Sequence, residues 1–154
     1  ATVGESGRIV TGAHGVKVEA DLTEADVSLE KADMVVLPGG PGTPNHEKSR
    51  KVREALEYCV KHDRYVAAIC AAPSVLGHMG LLKGREAVCF PGYESELGAA
   101  GVPRRAVCIS GKIITARGPG VSLEFALKIV ETLCGPEKAR EIGKSMQWNG
   151  TSAS

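Results

Sequence analysis

Apolar runs, and the residues that interrupt them, divide this chain into alternating strands and helices. Val16-Lys17-Val18-Glu19-Ala20 changes polarity at every residue, the pattern of a half-exposed strand, and Gly12 and Gly15 bracket a turn before it. The acidic segment 22–29 reads as a single helical turn. Asp33-Met34-Val35-Val36-Leu37 is continuously apolar after its first residue, which predicts a strand covered on both faces; Pro38-Gly39-Gly40-Pro41-Gly42 stops it abruptly. Segment 49–62 repeats with helical period and sets Val52, Ala55, Leu56, Cys59 and Val60 on one face. A second buried strand is expected over 66–69, a short helix over 71–78 ended by Gly80, and a third strand over 87–90 ended by Pro91-Gly92. Segment 94–100 is read as helical, and 106–109 with 112–115 as a hairpin around Ser110-Gly111. The spacing of Leu123, Ala126, Leu127, Val130 and Leu133 predicts an amphipathic helix over 122–133, capped by Gly135 and followed by a last helix over 136–146 and a loose tail over 148–154.

Alternating strands and helices with apolar strands imply an α/β fold: a doubly wound, mostly parallel sheet with helices on both faces. The 154 residues suffice for one domain, 1–147, with its own core, and no linker or internal repeat divides them. Net charge is +1 with no basic stripe, so nothing points to nucleic acid, and no apolar run reaches membrane-spanning length. Five cysteines without a C-x-x-C pair argue against a zinc site and for reduced thiols in the cytoplasm; Cys59, Cys108 and Cys134 fall in apolar surroundings and read as core thiols. No metal or cofactor is expected.

The joint between the second strand and its helix, Ile69-Cys70-Ala71-Ala72-Pro73, carries the sharpest chemical signal. A residue there is displayed on a tight strand-to-helix turn, beside N–H groups that the first helical turn leaves unpaired and that favour a thiolate. Ala71 and Ala72 leave room around the sulfur, and Pro73 suits a first turn because its missing N–H costs little. Pattern alone does not decide between this displayed nucleophile and a small buried thiol.

Other positions acquire meaning only beside Cys70. Gly39 and Gly40 let the backbone approach a ligand, and the amides of Gly40 and Ala71 would together form an oxyanion hole. No Gly-Lys-Ser/Thr follows, so the loop is not a phosphate-binding one. Among the histidines, His62 ends a helix and His78 lies two turns from Cys70. His46 follows the glycines, and His14 sits in a turn that would reach a site across a subunit interface. Glu94 and Glu96 fall on the carboxyl side of the sheet as rim carboxylates or solvated residues. Arg117-Gly118-Pro119-Gly120 reads as an anion-binding or interface loop, or as a rigid connection.

Taken in order, Val35-Val36-Leu37-Pro38-Gly39-Gly40, Ala67-Ala68-Ile69-Cys70-Ala71-Ala72-Pro73 and Thr115-Ala116-Arg117-Gly118-Pro119-Gly120 with Glu124-Phe125-Ala126-Leu127 resemble the ThiJ/PfpI superfamily, in particular its DJ-one branch, up to about Met146. The resemblance implies a flavodoxin-like sandwich, usually a homodimer. Cys70 is then the nucleophile-elbow cysteine, prone to oxidation to the sulfinate, and Gly40 and Ala71 supply the oxyanion amides. It also implies departures. Protease-like relatives have a histidine directly after the cysteine, where this chain has Ala71. Some DJ-one relatives have His-Pro where this chain has Phe90-Pro91, and a family arginine that approaches the partner's site corresponds to His14. The family's first strand, acid-bearing loop and helix have no counterpart here. The resemblance thus implies that roughly 30–40 further residues, one strand and one helix with their connections, complete the functional unit and carry the acid beside Cys70.

The implied function is attack by Cys70 on electrophilic carbonyls (glyoxalase or deglycase chemistry) or on peroxide, without a cofactor. A redox sensor or chaperone of oxidative stress without turnover is the first alternative. An amidotransferase- or protease-like hydrolase is the second, although the Gly-x-Cys-x-Gly and His-x-Glu patterns of such hydrolases are absent.

Overall fold

In the computed structural model, residues 1–148 are described; of the expected tail, 149–154 lie outside them. The sheet is built from β5 (Met34–Leu37), β6 (Tyr65–Ile69), β7 (Val107–Ser110) and β8 (Ile113–Ala116) in the order β5-β6-β8-β7. β5, β6 and β8 are parallel, while β7 runs antiparallel to β8 through the expected hairpin, whose Gly111 takes φ +62°. Ahead of this sheet, β1 (Val3–Gly4) pairs in parallel with β4 (Leu22–Thr23), and β2 (Ile9–Thr11) pairs with β3 (Lys17–Glu19) as an antiparallel hairpin. The α-helices among the described residues are α1 (Thr43–Lys48), α2 (Arg50–Lys61), α3 (Pro73–His78), α4 (Ser122–Cys134) and α5 (Pro136–Ser145).

Strand alternation sends the side chains of β6 to two cores. Val66 and Ala68 join Leu37, Leu56, Cys59, Val75, Leu76 and Ile113 beneath α2 and α3, and Ala67 and Ile69 join Ile114, Ala116, Phe125 and Ile129 beneath α4. Leu56 and Leu76 are fully buried, each contributing about 2–3 kcal/mol of transfer free energy. Ser49 caps α2 by accepting the Val52 N–H at 3.1 Å. No helix among the described residues is long and apolar enough to cross a membrane.

Several sequence expectations are corrected. Segment 87–90 is not a strand but a loop, buried at 87–89 and preceded by one isolated bridge, Glu86 to Gly101. Its backbone bonds scatter instead of forming a ladder: Ala87 N–H to Gly101 O, Val88 N–H to the Thr115 hydroxyl and Phe90 N–H to Cys70 O. Segment 94–100 holds only a 3₁₀ turn, Glu94–Glu96, and 22–29 holds β4 and a 3₁₀ turn, Glu24–Asp26, closed by a Thr23–Asp26 capping box. β3 is exposed on both faces, and Val36 of β5 is 46% exposed where coverage was expected. On α4 the residue driven into the sheet is Phe125, while Ala126 and Leu133 are exposed. Leu127 points at α5, where a Cβ built on Gly143 would lie 3.7 Å from its Cδ1. Trp148 closes α5, its N–H donating to Gly143 O at 2.9 Å.

Candidate active site at the Cys70 turn

β6 ends at Ile69, and Cys70 takes φ +66°, a left-handed conformation that costs an L-residue about 1–2 kcal/mol. The surroundings impose it. Cys70 N–H donates to Ala116 O at 2.9 Å, and Cys70 O accepts from Phe90 N–H at 2.8 Å. The first bond continues the β6–β8 register by one residue, the second ties the turn to the 87–90 loop, and the half-buried side chain of Cys70 lies at the sheet's carboxyl end. Pro73 then starts α3, and the Ser74 hydroxyl donates to Ala71 O at 2.8 Å.

The glycine loop presses on this turn. A Cβ on Gly39 would lie 2.6 Å from Cys70 Cβ and from Ile69 O, and 2.9 Å from Ala71 N, so only glycine permits the approach. Gly40 follows at φ +97°, and its carbonyl accepts from the Thr43 N–H and hydroxyl. Among the described residues, neither the Gly40 nor the Ala71 N–H has a protein acceptor, although Ala71 is only 3% exposed. A buried donor without a partner costs about 1–3 kcal/mol, and such donors collect where a ligand completes them. Cys70 Sγ itself has no hydrogen-bond partner among the described residues.

The other cysteines differ. Burial pushes the thiols of Cys59, Cys89 and Cys108 up, Cys89 to about 11 because Glu94 and Glu96 add their negative charge to its desolvation. Cys134, expected in the core, is exposed at the end of α4. Phe90 is 42% exposed beside the exposed Pro91, and its ring lies 3.1 Å from a Cβ built on the buried Gly118. Arg117 and Pro119 flank Gly118 at the surface.

Among the described residues, none of the four histidines hydrogen-bonds to Cys70. His14 sits exposed at the tip of the β2–β3 hairpin. His46 is held by a contact between Nδ1 and the Glu5 carboxylate, and its Nε2–H donates to Pro38 O at 2.9 Å, so it props the glycine loop. His62 stacks on Tyr58 with ring centroids 4.1 Å apart. His78 lies between Glu47 at 2.5 Å and Glu96 at 3.3 Å. Sequence reasoning missed Glu5, the buried Thr115 hydroxyl and Arg104. Glu5 and Thr115 carry no local signal, because each is recruited by a partner distant in sequence. Among the described residues, no three His, Cys, Asp or Glu side chains are grouped to hold a metal ion.

Comparison with known proteins gives this arrangement its context. The model of the DJ-1/PfpI family matches residues 1–132. The chain is 36% identical over 145 residues to the glutathione-independent glyoxalase DJR-1.2 of Caenorhabditis elegans, covering 93% of this chain and 77% of the relative. It is 38% identical over 136 residues to the Arabidopsis thaliana protein DJ-1 homolog B, covering 86% of this chain but 31% of that protein, so it spans about a third of the plant relative's length. The solved structure of oxidized Toxoplasma gondii DJ-1 superposes with a TM-score of 0.89 at 34% identity, covering 95% of this chain and 80% of that one. The parallel sheet with helices on both faces is therefore the flavodoxin-like α/β sandwich of those proteins, and the chain belongs to the DJ-1/PfpI family.

Proposed function

We propose that Cys70 is the nucleophile of a cofactor-independent enzyme acting on small electrophilic carbonyls, of the glyoxalase or deglycase type. The observation that carries this reading is the pair of uncommitted amides, Gly40 and buried Ala71, beside a cysteine held at φ +66°. The thiolate adds to the aldehyde carbon of a 2-oxoaldehyde such as methylglyoxal, forming a C–S bond. The resulting oxyanion accepts from the two amides. A proton moves from the former aldehyde carbon to the neighbouring carbonyl carbon through an enediol. Water then cleaves the thioester, so that methylglyoxal and water become lactate with no external oxidant. The proton carrier is the acid that family resemblance places beside the cysteine. The glyoxalase name of the worm relative supports the reaction class.

Two features extend the proposal. The five free thiols suit a reducing compartment, the cytoplasm. The hairpin that carries His14 exposes Ile9, Val16 and Val18 at 58, 66 and 57%, an apolar surface suited to a second subunit. A second reading, oxidation of Cys70 by peroxide without turnover, is favoured by its partial exposure and by the oxidized state of the Toxoplasma relative. Lactate formation from methylglyoxal separates the two. Turnover by the wild type that vanishes in Cys70→Ser supports the enzyme; a wild type that only accumulates the sulfinate supports the sensor.

A further inference from the structure

Next to the Cys70 turn lies an open cavity of about 540 Å³ that the reaction just described leaves unused. Val88, Cys89 and Pro103 supply apolar wall, and Glu94, Arg104 and Arg117 supply charge. Two of these residues are tied to the turn through single backbone bonds. Arg117 directly follows Ala116, whose carbonyl accepts the Cys70 N–H, and Cys89 directly precedes Phe90, whose N–H donates to Cys70 O. The cavity therefore lies beside the carboxyl end of β8, one backbone hydrogen bond away from Cys70, which is not itself on its wall.

Its charge is unbalanced. Among the described residues, neither Arg104 nor Arg117 pairs with a carboxylate, although neighbouring Arg105 pairs with Glu86 at 3.3 Å. Glu94 is the single acid on the wall, and its Oε2 already accepts the Gly92 N–H at 2.7 Å. On the wall itself two guanidiniums stand against one carboxylate, with Glu96 acting on Cys89 from outside the lining, beside His78, and the planar N–H forks of the two arginines match a carboxylate. The apolar wall suits a short aliphatic spacer.

We infer that this cavity is a subsite for an anionic group, so that Cys70 favours carbonyl substrates that carry a carboxylate over neutral ones such as methylglyoxal. This rests on Cys70 being the reacting thiol, but it can be read without turnover. The test compares alkylation of Cys70 by iodoacetate, which is anionic, and by iodoacetamide, which is neutral and nearly the same size. Peptide mass spectrometry follows both rates, with exposed Cys134 as internal reference. The ratio of the two rates cancels any change in thiolate fraction, because both reagents need the same thiolate. In the wild type the iodoacetate-to-iodoacetamide ratio should be about threefold to tenfold higher at Cys70 than at Cys134, a span set by one nearby charge at the surface. It should drop toward the Cys134 value in Arg104→Ala and in Arg117→Ala, and in the wild type as salt is raised. Arg104 is exposed and on a loop, so its variant keeps the test standing if Arg117→Ala does not fold. Equal ratios at the two cysteines, or a Cys70 ratio unchanged in the folded variants, would overturn the inference and leave the carbonyl reaction untouched. Loss of lactate formation with the ratio intact would do the opposite.

Discussion

The Cys70 turn and the β2–β3 hairpin are both tight turns that glycine makes possible, Gly39 packed against the first and Gly12 and Gly15 within the second, yet they stand on different foundations. The turn grows out of β6, whose side chains enter both cores, and its backbone is bonded to Ala116 and Phe90. The hairpin has all six strand residues exposed and is held by its own three-pair register, which Ala20 N–H to Arg8 O extends at its base. A two-stranded ribbon alone is marginal in water. The contrast teaches where the proposed site gets its precision. The strained cysteine and the glycine loop are over-determined by packed neighbours, while a contribution from His14 depends on whatever the hairpin rests against.

The largest effect should come from breaking the packed side. Gly39→Ala forces a Cβ to within 2.6 Å of Cys70 Cβ and Ile69 O, so we expect a loss of about 3–5 kcal/mol in chemical denaturation, with Cys70 reactivity lost in any folded fraction. Leu56→Ala, beneath the same sheet, should cost about 2–5 kcal/mol through the cavity it opens. The matched change on the hairpin, Val18→Ser, should shift stability by less than about 0.5 kcal/mol in dilute monomer. It should weaken self-association measured by light scattering if the hairpin is the subunit contact. A hairpin change as costly as Leu56→Ala would erase the contrast.

A smaller effect sharpens it through pH. Cys89, in the loop behind Phe90, has its thiol raised from 9.0 to about 11 in the folded protein. Well below pH 9 both states hold the proton and this thiol leaves stability unchanged. Between about pH 9 and 11 the unfolded chain releases it first, so the free energy of unfolding falls as pH rises, by about 1–2 kcal/mol at pH 10.5. Urea melts at pH 8 and 10.5 should show this fall, and Cys89→Ser should reduce it.

The same division explains what was legible in the sequence. β5, β6 and the Cys70 turn, α2, the β7–β8 hairpin, α4 and α5 were readable because periodicity, breakers and caps lie within each segment. Segment 87–90 misled because Ala87, Val88 and Cys89 are apolar for burial alone: at 0, 1 and 3% exposed they fill the space beside the sheet without joining its ladder. α4 faces otherwise than its leucine spacing predicts because the helix has two apolar contacts, Phe125 on the sheet and Leu127 on α5. Cys134 was placed inside by its apolar neighbours, yet it falls on the last, exposed turn of α4. The Glu5–His46 prop and the Arg104–Arg117 cavity come from residues far apart in the chain, which no local pattern brings together.

The most direct test of the account is which thiol reacts first. Cys59, Cys89 and Cys108 are buried with raised thiols, and Cys134 is exposed at the carboxyl end of α4, where the helix presents negative partial charge. Limited iodoacetamide labelling at about pH 6, read peptide by peptide, should modify Cys70 ahead of all four, because reactivity follows thiolate character together with access. Faster labelling of any other cysteine, Cys134 above all, would contradict the claim that the turn after β6 displays the reactive group of this protein.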